Sequence, residues 1–258
     1  MMRIITIALQ KGGTGKSTTA HALGQGLQQE GLKVLFIDLD PQGNLSYTMR
    51  AEADQPTSFE VMTRQANATD AIQITEQGHL IAASPQLSSA DMEVTQTGKE
   101  YRIKEALHPL QALYDFVIID TPPALGTLTV NALTAATGVI IPVQAETYSI
   151  QGIAQLYSTI EAVRAYCNPA LAIEGILLTR YNDRMILSRD MADTIEATAQ
   201  QIGTRLFYAK IREGIAVKEA QARREPLYRY APNSNTAQDY KRFIAEYLQN
   251  QTKDGNHE

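Results

Sequence analysis

Residues 11–18 place three glycines, two lysines and three hydroxyls in one short stretch: Lys11, Gly12, Gly13, Thr14, Gly15, Lys16, Ser17 and Thr18. Glycines let backbone N–H groups close on an anion, and a helix starting there adds its positive end. A lysine followed by a hydroxyl is the ending of a phosphate loop. Lys16 is expected to neutralise the β and γ phosphates, and Ser17 to ligate Mg²⁺. The usual pattern would put its first glycine at position 10, but the chain has Gln10 there, followed by Lys11. A loop built for a triphosphate therefore carries a second lysine that the ordinary pattern does not require.

Three aspartates could complete the chemistry. Asp38 and Asp40 follow the apolar run "KVLFI", and Asp120 follows "DFVII". Ligands of parallel α/β sheets bind at the C-terminal ends of strands, where these residues fall. In an extended segment, side chains two apart point the same way, so Asp38 and Asp40 are expected to act on one side. Carboxylates beside a magnesium triphosphate hold metal-bound water or orient the attacking water. A lone strand-end aspartate equally caps a helix; three of them with the loop form a constellation.

The elements that must position these groups follow a β-α alternation. Strands are expected at residues 3–9, 33–40, 79–84, 115–120, 138–143 and 172–179. Helices are expected at about 16–30, 149–166, 184–201 and 237–249. Near-continuous apolar strands joined by helices imply a mostly parallel sheet covered on both faces, a single α/β P-loop domain over residues 1–250. The remaining residues, 251–258, read as a polar C-terminal tail. Of the 258 residues, 44% are hydrophobic and 20% charged, which excludes a disordered chain. No apolar run is long enough to span a bilayer, no signal-peptide pattern opens the chain, and one cysteine, Cys167, excludes an internal disulfide. A soluble cytoplasmic protein is expected. The net charge of -5 argues against binding nucleic acid through global charge, but a local basic patch needs only nearby cations.

The stretches "KGGTGKST", "FIDLDPQGN", "FVIIDTPP" and "PVQAETYSIQG" together resemble the deviant Walker ATPases, specifically the ParA-type (Soj-like) DNA-partition branch in its short form. The resemblance runs from Arg3 to about Leu248. It implies ATP and Mg²⁺ as ligands, slow ATP hydrolysis and an ATP-induced homodimer. That dimer binds DNA without sequence preference, on the nucleoid, and answers to a ParB-like centromere-binding partner. It also implies roles by position. Lys11 reaches across the dimer to the partner's ATP, as an arginine finger does. Lys16 is the loop lysine, and Asp40 activates or orients water. Ser17 ligates the metal, with Asp120 as the Walker B aspartate and Asp38 near the metal's water shell. The loop "PVQAETYSIQG" lies beside the nucleotide at the dimer interface, and Arg180 neighbours the adenine.

Other features bear on the branch. The resemblance begins at Arg3, so an operator-reading N-terminal helix-turn-helix is not expected. In the C-terminal region, arginines of the chromosomal members are replaced around Ala216, Asn233 and Asn235, while Lys218, Arg223, Arg224 and Arg229 supply cations for DNA or, equally, an ordinary solvated face. The segment 237–249 is amphipathic, with Tyr240, Phe243, Ile244, Tyr247 and Leu248 on one face. As a membrane helix it would indicate a MinD-like positional ATPase. Its polar face is not strongly basic, so docking on the sheet, with no stable membrane association, is the reading it favours. A small-molecule kinase would need a substrate insertion, for which only residues 56–98 offer room. His21, His79 and His108 show no metal spacing.

Overall fold

The structure is a computed structural model, and it describes residues 2–254. The strands are β1 (Arg3–Ile7), β2 (Val34–Asp38), β3 (Ile72–Thr75), β4 (Gly78–Ile81), β5 (Phe116–Asp120), β6 (Gly138–Gln144) and β7 (Ala172–Thr179). The helices of the N-terminal half are α1 (Lys16–Gln29), α2 (Asn44–Thr48), α3 (Ser58–Thr63), α4 (Ala90–Glu93) and α5 (Arg102–Leu107). Those that follow are α6 (Thr127–Ala135), α7 (Ser149–Tyr166), α8 (Ile186–Gln201), α9 (Ile215–Arg223), α10 (Leu227–Tyr230) and α11 (Asn235–Asp254). The sheet order is β3-β4-β2-β5-β1-β6-β7, with every neighbouring pair parallel except β3 and β4.

Alternation along each strand sorts side chains into two cores. Leu35 and Ile37 of β2 join Val117 and Ile119 of β5 on one face, beneath α3, α5, α6, α7 and α8. Val34 and Phe36 join Phe116 and Ile118 on the other, beneath α1, α9, α10 and α11. Both faces of the sheet are dry, which is why its strands are apolar throughout rather than alternating.

The structure refines the expected elements. The second strand ends at Asp38, so Asp40 lies in the following turn. Residues 56–98 carry α3, the β3–β4 hairpin that extends the sheet edge, and α4. The last helix is longer than expected, from Asn235 to Asp254. Tyr240, Phe243, Ile244 and Tyr247 are buried under the sheet, and Leu248 packs against the same core. The start of the expected tail is therefore helical, and Gln251 Nε2 donates to Glu174 at 2.8 Å; residues 255–258 lie outside the described ones. No helix among the described residues is long and apolar enough to cross a membrane.

Candidate nucleotide site

β1 stops at Ile7, and the chain turns through residues 8–15 into α1. Gly13 (φ 76°) and Gly15 (φ 85°) adopt left-handed backbone that a side chain would strain, so the turn needs glycine at both places. Three carbonyls of the turn are anchored. Gln144 Nε2 donates to Gly13 O and Thr179 Oγ1 to Thr14 O, both at 2.8 Å, and Lys16 Nζ donates to Lys11 O at 3.0 Å. Tying those carbonyls down suits a loop whose amides must face an anion. Lys16 is buried, and desolvation lowers its pKa against the opposing pull of Asp120 and Asp40.

Asp120 closes β5 beneath the loop and is fully buried. Neither carboxylate oxygen accepts a hydrogen bond of ordinary geometry. Burial, then the charge of Asp38, push its pKa well up; the Ser17 hydroxyl is near enough to favour the ionised form but does not outweigh them. An ionised carboxylate cannot stay dry and unpaired at reasonable cost. A hard divalent cation held by oxygen donors relieves this, and Ser17 supplies the neighbouring oxygen. The residues present therefore fit Mg²⁺.

Asp38 and Asp40 do not point together as their spacing suggested. Asp38 is fully buried, with Oδ1 accepting from Asp40 N at 3.0 Å and Oδ2 from Ser46 N and Oγ at 2.8 and 2.7 Å. Burial raises its pKa to about 6 against those hydrogen bonds. Its visible work is to fold the β2–α2 turn, and that turn redirects Asp40 into the cavity.

The cavity, about 590 Å³, is lined by Gly12, Gly13, Gly15, Lys16, Ser17, Thr18, Asp40, Arg180 and Lys218. Thr14, Asp38 and Asp120 lie buried beneath it. Lys11 stands apart from this lining, ion-paired to Glu146 of the "PVQAETYSIQG" loop. Arg180 adopts φ 50° at the end of β7 and approaches Glu213 at 3.6 Å. Residues absent from the sequence reading complete the wall. Gln42 comes from the turn after Asp40, Asn44 and Tyr47 from α2, and Arg212, Glu213 and Gln221 from the far side. The first group sits in "DPQGN" and its sequel and was within reach of the motif. The second carries no motif: the chain after α8 is brought in by single bridges, Ile176 to Leu206 and Tyr181 to Arg212, and by Gln221 Nε2 donating to Thr18 Oγ1 at 3.0 Å.

The other basic candidates lie further along. Arg224 stacks 3.8 Å over the Tyr47 ring, Arg223 lies 5.3 Å from the Tyr230 ring centre, and Arg50 donates to the carbonyls of both arginines. Arg229 borders the same recess as Arg50 and Arg224. His21 is buried on Gln77 with its pKa lowered to about 4 by burial, and His79 bonds Tyr114. No metal-binding cluster of His, Cys, Asp and Glu occurs among the described residues.

The chain is similar to known proteins over nearly its whole length. The profile of the family described as "AAA domain" matches residues 2–173. The sporulation initiation inhibitor protein Soj of Bacillus subtilis is 37% identical, over 97% of this chain and 100% of its own length. The chromosome partitioning protein ParA of Caulobacter vibrioides is 39% identical, over 96% of this chain and 94% of its own. A crystal structure described as cobyrinic acid a,c-diamide synthase from Mycobacterium smegmatis, with ADP and magnesium bound, superposes with a TM-score of 0.84 at 33% identity, covering 98% of this chain and 96% of that one. With its phosphate loop, its buried strand-end aspartates and identity sustained over nearly the whole length, this chain belongs to the ParA/Soj family of partition ATPases.

Proposed function

We propose that this chain is a Mg²⁺- and ATP-dependent DNA-partition ATPase. Its ATP-bound homodimer binds DNA without sequence preference in the nucleoid, and a ParB-like partner accelerates its hydrolysis. The observation that carries the nucleotide part is Asp120, a buried carboxylate whose oxygens accept no hydrogen bond of ordinary geometry among the described residues, beside Ser17 and Lys16. Ser17 and Asp120 would hold Mg²⁺, which when bound offsets phosphate charge. The loop from Lys11 to Thr18 cradles the phosphates, and Lys16 neutralises them. Asp38 keeps the turn folded near the metal's water shell, Asp40 orients the attacking water, and Arg180 neighbours the base. Titration calorimetry tests this. Wild-type protein should bind ATP more tightly with Mg²⁺ than with chelator. Asp120→Asn, which removes the buried charge at constant shape, should lose that difference. Magnesium-independent ATP binding by the wild type would reject the assignment.

The DNA part rests on the family and on the cations Lys218, Arg223, Arg224 and Arg229. Lys218 stands at the rim of the nucleotide cavity, and Arg224 stacks on Tyr47 in its wall, so nucleotide and basic residues share elements. Two modest patches joined in a dimer bind far more strongly than one on an acidic protein. DNA binding should therefore require ATP and fall steeply with salt, as phosphate contacts do. Reversing charge at both Arg223 and Arg224 should weaken it at least about tenfold, with ATP affinity held within about twofold. Equal DNA affinity in the ADP state, read by fluorescence anisotropy, would contradict the switch.

A further inference from the structure

The far wall of the cavity holds a clamped cation, Arg212. Arg212 Nε donates to Asp239 Oδ2 and Nη2 to Asp239 Oδ1, both at 2.8 Å, and the Arg212 backbone N–H adds a third bond to Oδ2 at 3.0 Å. The Asp239 side chain, on α11, is 2% exposed and also receives Arg242, whereas the Arg212 side chain is 41% exposed. Burial alone would raise the Asp239 pKa, but the hydrogen bonds and charge of Arg212 outweigh it and keep the carboxylate ionised. A two-toothed pair of this kind fixes the guanidinium plane and occupies one edge, leaving the flat faces for other contacts.

The sheet order says what meets that face. β1, which launches the phosphate loop, lies between β5 and β6. Asp38 and Asp120 end β2 and β5, so metal and terminal phosphate belong on that side. The rest of a nucleotide must extend the other way, over the end of β7 and the segment holding Arg212, which lines the cavity together with Thr179 and Arg180. The cavity is large enough for a nucleoside triphosphate lying across the loop.

Resting on the reading of this cavity as a nucleotide site, we propose that Arg212 is a stacking platform for the purine base, held flat by Asp239 as its positioning residue. A guanidinium plane stacks on an aromatic ring and a lysine ammonium does not, so Arg212→Lys keeps the charge and removes the platform. In both Arg212 variants Arg242 stays on Asp239, so the buried carboxylate is never left unpaired.

Calorimetry on the full chain should compare ATP, ADP and inorganic tripolyphosphate. Arg212→Ala and Arg212→Lys should each lose about tenfold in affinity for ATP and for ADP, with tripolyphosphate changed by less than about twofold. Asp239→Asn should show the same pattern at smaller amplitude. Wild-type ATP affinity in Arg212→Lys would overturn the proposal, and so would an equal loss for tripolyphosphate, which would make Arg212 a phosphate ligand. A wild-type protein that binds neither ATP nor tripolyphosphate would instead overturn the nucleotide reading, and this inference with it.

Discussion

Asp40→Ala should bind ATP with near wild-type affinity and hydrolyse it about a hundredfold more slowly or worse, a barrier increase of about 2.7 kcal/mol. The argument is one of position. Asp40 lines the cavity that Lys16 and Ser17 line, yet the groups suited to holding the ground state, the loop amides, Lys16, Ser17 and Asp120, remain when it is removed. A residue that acts only as bonds change lowers turnover without lowering affinity. The turn around it should survive, because Asp38 grips the Asp40 backbone N–H and Ser46 rather than the Asp40 side chain. The Asp40 carboxylate itself accepts from Gln42 N at 3.0 Å, a modest local loss. The variant should accumulate as an ATP-bound dimer on size-exclusion chromatography. Wild-type hydrolysis in Asp40→Ala would remove the residue from the mechanism.

How much of this could be read from the chain alone depended on whether the information was local. The phosphate loop is eight contiguous residues whose chemistry requires those types in that order, so it was legible. So were the central strands, because burial on both faces leaves a near-continuous apolar run. β3 was not: "IQIT" is a short edge strand with Ile74 exposed, and an edge has only one neighbour to satisfy. The divergence of Asp38 and Asp40 was hidden because period-two reasoning assumes a strand that continues, while here the turn starts between them. The far wall was the least legible part. Arg212 and Asp239 are 27 residues apart and carry no motif; only the passage of the chain along β7 and the docking of α11 bring them together. Lys11 and Glu146 each fall in a stretch the sequence singled out, but 135 residues separate them, and their pairing was not legible.

That last pair frames the prediction for the second lysine. Lys11→Ala should still bind one nucleotide per monomer, since Lys16 and the loop amides are intact, but should fail to dimerise with ATP and so lose hydrolysis and DNA binding together. The Glu146 contact is no obstacle to a role across the interface. With 28% and 49% of the two side chains exposed, the pair is worth at most about 1 kcal/mol, and a partner's triphosphate is a far stronger anion. Mixing two inactive proteins gives the decisive measurement. Lys16→Ala has a crippled loop but keeps Lys11; Lys11→Ala has a working loop but no lysine to lend. In a mixed dimer the working loop receives Lys11 from its neighbour, which rebuilds one site of two. Recovered hydrolysis in the mixture, absent from either protein alone, is what action in trans requires. If Lys11→Ala by itself dimerises and hydrolyses ATP at the wild-type rate, the lysine is an ordinary surface cation paired with Glu146.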